Sequence, residues 1–454
     1  MNLLYLIMLL EGLNMKILII NGSPKGENSV TYHTCLYMEK KYPEHEYDVI
    51  HAGQRIAGIQ KKFDEVIPQL KQADMIVFSY PVYTFLVPSQ LHRFIELMKE
   101  VDLKDKYVIQ ISTSKHFYDV TAHEFIKENC LDMGMKYLGG LSADMGDLTS
   151  ESGRKEADDF FSTIFFKMEQ GIYETGSFVP YVEDRHTYFK EVSGPKDTTK
   201  KVVIIADIKD EKDILRDKIA YFQSIFPYET KVINLNEMTI HGGCLGCMNC
   251  ATDGKCIYKD HFDEFLRNEI QQMDGTIYAY TIKDHSMGYK MKLYDDRQFC
   301  NGHRTVTMGK PVGYIINGDL TNEHNLKMVM EARASAGGNY LAGIGANEAD
   351  IRELSLMMGY VLEHRIQAQK TFYGVGGLKI FRDLIYQMQG IMKADHAFYK
   401  EHGMYDFPQK DKATIIGMKA LGLLMSNPKI KATISSKMSE GMVMGHNKGI
   451  DEMK

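Results

Sequence analysis

Apolar residues along this chain fall into short unbroken runs, separated by stretches where they recur at helical spacing. Met15–Asn21 (MKILIIN) is continuous and halts at Gly22, the pattern of a strand covered on both faces. A helix is predicted over about 29–41, a weaker strand near Tyr47–His51, and helical periodicity over Phe63–Lys71. The rhythm continues with a strand at Met75–Ser79, a helix at Pro88–Val101, a strand at Tyr107–Ser112, a helix at Ala122–Met133 and a strand at Lys136–Ala143. Strands alternating with helices predict right-handed crossovers and a parallel sheet.

Five strands in this rhythm fit a doubly wound α/β domain of flavodoxin-like order 2-1-3-4-5. Helical sequence follows over Arg154–Glu174, and a polar stretch with Gly194-Pro195 reads as a linker. The pattern then restarts. Lys201–Ala206 (KVVIIA) repeats the first strand, and Thr230–Asn236 the second. Phe262-Asp263-Glu264 echoes Phe63-Asp64-Glu65, Thr276–Tyr280 echoes Met75–Ser79, and Val312–Asn317 echoes Val108–Thr113. Gly338–Gly343 answers Met135–Gly140. Order and offset are nearly kept, so the chain reads as an internal duplication of one domain. The expected layout is an extension over 1–14, a first copy over 15–178, a linker over 179–200, a second copy over 201–370 and a helical C-terminal extension over 371–454. Within that extension Phe381–Met392 and Lys412–Met425 are amphipathic. Gly374-Val375-Gly376-Gly377 resembles a scrap of a dinucleotide fingerprint, but it follows no strand.

Composition changes this picture little. A chain of 454 residues exceeds what one core usually serves, and a net charge of −6 with no long basic run argues against a nucleic-acid partner. Met1–Leu10 is apolar but too short to span a bilayer, and it has neither the basic flank nor the cleavage site of a secretory signal. The first fourteen residues read as an upstream start or a short extra segment, Met15 being the better beginning. No membrane association and a cytoplasmic location are expected.

The chemistry is in the loops. In the first copy Gly22-Ser23-Pro24-Lys25-Gly26-Glu27-Asn28-Ser29-Val30-Thr31 joins strand to helix, placing hydroxyls and N–H groups where an anion binds. It is no Walker loop, and a plain capped turn is the bland alternative. Tyr80-Pro81-Val82-Tyr83-Thr84-Phe85 follows the third strand, and Ser112-Thr113-Ser114-Lys115-His116 the fourth. Ligands of such sheets lie beyond the carboxyl ends of the strands, where these three loops would meet.

Seven cysteines do not suggest a secreted disulfide framework, because four crowd one loop: Cys244, Cys247, Cys250 and Cys256, spaced C-x2-C-x2-C-x5-C. Thiolates select iron–sulfur clusters or zinc. The tight first three suit a [4Fe–4S] cube, whereas a zinc knuckle pairs two separated arms; a disulfide is the remaining alternative. Cys35, Cys130 and Cys300 are expected as isolated, partly buried thiols.

The Gly-Ser-Pro-Lys-Gly-x-x-Ser-x-Thr loop with Pro-Val-Tyr after the third strand resembles the NADPH-dependent FMN reductase group of flavodoxin-like proteins. The Cys244–Cys256 loop is similar to the cluster loop of its iron–sulfur flavoprotein branch. The resemblance covers most of Met15–Asp147 and Val202–Asp350. It implies that Ser23, Pro24, Lys25, Ser29, Val30 and Thr31 hold the FMN phosphate, while Pro81, Val82, Tyr83, Thr84, Phe85, Ser112, Thr113 and Ser114 line the ring. It also implies a [4Fe–4S] cluster on the four cysteines and NAD(P)H or a ferredoxin-type carrier as electron donor. No catalytic acid or base stands out.

The copies depart from the pattern in opposite ways. The second has Ala206-Asp207-Ile208-Lys209-Asp210-Glu211 where the phosphate loop should be, and Tyr280-Thr281-Ile282-Lys283-Asp284 without the proline turn. Two like charges about 4 Å apart repel by roughly 4 kcal/mol at an effective dielectric of about 20, so a phosphate there is disfavoured. The first copy has no cysteine loop. In the resembling flavoproteins the cluster of one subunit lies near the flavin of its neighbour, so this chain is expected to form an internal pseudo-dimer, or a homodimer. Tyr289, Lys290, Lys292, Asp296 and Arg297 read as solvated surface. A non-enzymatic electron carrier or sensor, and a zinc-stabilised binding protein, remain the rival expectations.

Overall fold

The computed structural model describes residues 14–176, 188 and 194–452. The leading segment through residue 13 and most of the expected linker lie outside them.

Two five-stranded, all-parallel sheets follow from the apolar runs. The first is ordered β2-β1-β3-β4-β5, with β1 Lys16–Asn21, β2 Glu46–Ile50, β3 Met75–Pro81, β4 Tyr107–Ser114 and β5 Lys136–Asp144. The second repeats that order as β7-β6-β8-β9-β10, with β6 Asp197–Ala206, β7 Tyr228–Asn234, β8 Gly275–Thr281, β9 Pro311–Asn317 and β10 Tyr340–Gly345. β1 and β3 are buried almost throughout, as strands with helices on both faces must be. β3 and β8 lie 200 residues apart by their first positions, 75 and 275. The last strands correspond one residue away from the match read from the letters. Register shifts at the bulges bring Gly139 beside Ile109 and Gly343 beside Gly313, so Gly343 answers Gly139 rather than Gly140.

The two copies pack through helices related by a pseudo-twofold axis. Helix Ser89–Met98 of the first copy packs on helix Gly288–Arg297 of the second. The contacts are exchanged as between two identical subunits. The Ser89 N–H donates to the Asp296 carboxylate (2.6 Å), and the Tyr289 N–H to Glu96 (2.8 Å). Across the same interface Asn325 Nδ2 donates to the Thr121 carbonyl and Asn129 Nδ2 to that of Asp284, two contacts that do not mirror each other. One apolar core runs through both copies, from Ile20, Phe78 and Phe94 to Ile205, Tyr280 and Tyr294.

This packing corrects the reading of residues 289–297 as surface. Lys292, Asp296 and Arg297 are buried, because the first copy covers the helix face that bears them. The glycine scrap has no strand before it in the structure either. It lies inside helix Phe372–Gln387, capped by Thr371, and a Cβ at Gly377 would come within 2.9 Å of the Phe117 ring. The glycines there permit close helix packing, and the helix begins nine residues before the expected Phe381 because tertiary contact overrides their poor propensity.

Residues up to Phe398 form one compact unit and Tyr399–Lys454 a second. In the latter, helices Lys412–Leu424 and Pro428–Asp451 leave Ile416, Met418 and Leu423 exposed. No helix among the described residues is long and apolar enough to cross a membrane.

Candidate functional site

At the carboxyl end of the first sheet three loops are tied together. Ser29 caps helix Val30–Lys41, accepting from the Tyr32 N–H, and the N–H groups of Val30 and Thr31 have no acceptor within the helix. Ser23 Oγ accepts from the Lys25 N–H (3.3 Å). Ser23, Pro24, Ser29 and Thr31 are buried, while Lys25 and Val30 are exposed. Thr31 Oγ1 donates to Thr113 Oγ1 (2.7 Å), and the Thr113 carbonyl accepts from the Val82 N–H (3.0 Å). All three expected loops are thereby brought to one crevice. Ser112 spends its hydroxyl on His123 (2.7 Å), and Ser114 on Asp119 (3.2 Å).

Helix Ala52–Ile59, unforeseen in the sequence, props this crevice. A Cβ at Gly53 would lie 2.2 Å from the Gly22 carbonyl oxygen, so this helix and the loop that begins at Gly22 touch backbone to backbone. Backbone strain gathers here as well. Thr84, Phe85, His116 and Tyr118 all have positive φ, between 45° and 68°. Such conformations persist where the surroundings over-determine them, and they cluster at ligand sites.

Much of that determination comes from the second copy. Lys292 Nζ donates to the Tyr83 carbonyl (2.9 Å) and to Thr84 Oγ1 (2.6 Å), and is paired with Asp296. Asp295 accepts from Thr84 and from Arg333. Burial would raise the Asp295 pKa, but Arg333 and Lys292 hold it below the usual carboxylate range.

The cysteine loop leaves the second sheet where the first copy has helix Ala52–Ile59, after the second strand, and crosses to the first copy's crevice. A Cβ at Gly243 would lie 2.3 Å from Ser89 Oγ, and one at Gly246 2.3 Å from Tyr83 Oη. Glycine permits this approach without moving either hydroxyl, and Gly246 also has a positive φ of 59°. Gln90 Nε2 donates to the Cys244 carbonyl (3.2 Å). The Tyr83 ring meets Phe299 edge to face at 5.2 Å, and the Phe299 carbonyl accepts from Cys250 Sγ (3.2 Å). Burial, then Cys244 and Asp296, push the Tyr83 hydroxyl well up.

All seven cysteines are free thiols; Cys35, Cys130 and Cys300 are buried, Cys247 is exposed, and Cys244, Cys250 and Cys256 are half-buried. Among the described residues, no three His, Cys, Asp or Glu side chains are gathered as ligands of one metal ion. The donor chemistry nonetheless fits a thiolate-ligated centre. Four thiols share one loop, the Gly246 N–H donates to Cys244 Sγ (3.4 Å), and the Arg297 guanidinium stands 3.8 Å from Cys256 Sγ. Burial pushes the Cys244 thiol up to about 12 and Cys250 to about 11.

The phosphate-loop counterpart in the second copy is differently filled. Asp207 accepts from Asn236 Nδ2 (2.7 Å), and burial raises its pKa, while Asp210 and Glu211 are exposed. Residues that sequence reasoning did not single out for the site are Ser89, Gln90, Asp260 and Phe299. Lys292 and Arg297 were noticed but assigned to solvent.

No curated protein matches the chain. Solved structures similar to part of it include an NADH:FMN oxidoreductase in its apo form, at 15% identity over 34% of this chain and 90% of that one, with a TM-score of 0.30. An FMN-dependent NADH-azoreductase from Bacillus anthracis in complex with FMN shares 16% identity over 35% of this chain and 99% of its own, with a TM-score of 0.26. General stress protein 14 of Treponema denticola in complex with FMN shares 12% over 33% and 98%, with a TM-score of 0.28. Residues 15–142 match the family model described as NADPH-dependent FMN reductase, and the three tied loops lie within that span.

Proposed function

We propose that the chain is an oxidoreductase in which the first copy (15–178) holds FMN and the loop Cys244–Cys256 of the second copy (201–370) holds a [4Fe–4S] cluster. Electrons from NAD(P)H, or from a ferredoxin-type carrier, pass between the two. The observation that carries this reading is the seating of Gly243 and Gly246 against Ser89 and Tyr83, which puts the four thiols beside the crevice of the family-matched copy.

FMN supplies exchange between hydride and single-electron transfer, and a cluster carries one electron at a time. The residues supply binding and placement. Ser23, Lys25, Ser29 and Thr31 with the N–H groups of Val30 and Thr31 would take the phosphate, and Pro81–Phe85 with Ser112–Ser114 would line the ring. Tyr83 and Phe299, in edge-to-face contact, would stand between the flavin and the cysteine loop. Thiols as buried as Cys244 and Cys250 part with their protons only when a cation takes the proton's place, which couples loading of this loop to proton release. The second copy's Asp207, Asp210 and Glu211 oppose a second phosphate.

The test is analysis of anaerobically prepared protein for flavin, iron, acid-labile sulfide and zinc, followed by mixing with NADPH or NADH. Flavin bands over a broad cluster absorption, both bleached by a nicotinamide, are expected. Bleaching by reduced ferredoxin alone would make the chain a carrier rather than a nicotinamide oxidoreductase. Zinc without sulfide would overturn the reading.

A further inference from the structure

Arg297, at the end of helix Gly288–Arg297, is 2% exposed, and its surroundings are built around it. Its two terminal nitrogens fork onto Asp260 at 2.7 and 2.8 Å, and Nη1 also donates to the Gly242 carbonyl (3.2 Å). The plane lies over Tyr258 (4.4 Å) and Phe262 (4.8 Å). Tyr258 in turn donates to the Gly243 carbonyl (3.1 Å), and Asp260 accepts from the His241 N–H (3.1 Å). These contacts join the two ends of the cysteine loop, Gly242-Gly243 on one side and Tyr258–Asp260 on the other.

Two observations go beyond a clasp. Arg297 Nη2 stands 3.8 Å from Cys256 Sγ, and the buried Nε–H has no acceptor among the described residues. A buried donor without an acceptor is costly, and it points to an acceptor that the chain does not itself provide. We propose that Arg297 is a positioning residue for the thiolate-bound centre: it closes the loop and donates to Cys256 Sγ, setting the reduction potential of whatever those sulfurs ligate. Donors and positive charge beside ligand sulfurs stabilise the reduced, more negative state and raise the potential. This inference rests on the cluster reading above.

The experiment uses the full chain, prepared anaerobically. Iron and sulfide are assayed, and the cluster's midpoint potential is read by EPR during a dye-mediated redox titration. Arg297→Gln is expected to keep its flavin and shift the cluster potential to more negative values. Asp260→Asn, which leaves the guanidinium charge uncompensated, should shift it the other way, and it carries the test where Arg297→Gln does not fold. A purely structural clasp would lower iron content in both without moving the potential of the clusters that remain. Unmoved potentials in iron-loaded variants overturn the role of Arg297 alone. An unaltered chain without iron and sulfide overturns the cluster reading, and this inference with it.

Discussion

The two halves of this molecule share a topology and have opposite chemistry. After the second strand the first copy has helix Ala52–Ile59, which braces the hydroxyl-rich loop Gly22–Thr31. At the same point the second copy has the cysteine loop, and its own phosphate-loop position is carboxylate-rich. The difference extends to the interface. Across the pseudo-twofold axis Lys292 answers His92: the first is a buried cation that ties down Tyr83 and Thr84, the second a buried ring kept neutral, its pKa pushed down to about 4 mainly by burial. A duplicated fold can therefore keep its packing symmetric while its two ends specialise, provided each end reaches across to the other.

Breaking one end at a time tests that division. Cys247→Ser should remove nearly all the iron and leave flavin in place, by metal and flavin analysis; loss of both would mean the two seats are not independent. Next in size is the double change Ser29→Ala with Thr31→Ala. A hydrogen bond to a charged group contributes about 1.5–3 kcal/mol, so losing two should weaken FMN retention by roughly a hundredfold or more. Iron should be untouched. The change at the second copy's equivalent loop, Asp210→Ala, should leave flavin affinity where it was.

The interface offers a smaller asymmetry. Asp296→Ala removes the nearer of two buried carboxylates from Lys292 and leaves it Asp295 at 3.5 Å, so the cost should fall below the ~3–5 kcal/mol typical of a wholly unpaired buried charge. Its counterpart Glu96→Ala should cost less, because Arg93 and Lys283 are 30% and 45% exposed and can return to water. Urea unfolding midpoints of the two variants give the comparison directly. Equal losses would mean the symmetry is energetic as well as geometric.

The strands and the three crevice loops were legible because burial on both faces and turn chemistry are local signals. Residues 288–297 were not. GYKMKLYDDR reads as a polar helix, and its burial comes from a surface some 200 positions away. The clue was present in the echo itself, which sets 289–296 opposite 89–96, and in the i, i+4 spacing of Lys292 and Asp296. Helix Ala52–Ile59 was missed because it is short and holds two glycines; Gly53 is there for the contact with Gly22, a requirement no periodicity records. The cysteine spacing was plain in the sequence. Its landing on Tyr83, rather than on its own copy's crevice, became visible only through the pseudo-twofold.

A further expected effect lies where the copies differ by a titratable group. Phe85 in the first copy is answered by His285, both at positive φ. His285 Nε2 bonds Asp132 (2.9 Å) and Nδ1 bonds Glu323 (3.1 Å), with Lys99 and Asp284 alongside. Burial works to lower the His285 pKa, but Asp132 and Glu323 outweigh it and raise it to about 10. Nearby Glu128 is raised to about 7, chiefly by burial. In both cases the native state binds more protons than the unfolded chain. Stability is therefore fully present at acid pH and falls in two steps: as pH rises from about 4.5 to about 7 for Glu128, and from about 6.5 to about 10 for His285. Replacing His285 with the first copy's residue, His285→Phe, should abolish the upper step and move the lower one to higher pH, because the His285 charge holds Glu128 down. Unfolding midpoints measured between pH 5 and 10 would show it, and an upper step that persists in the variant would assign the alkaline loss to some other group.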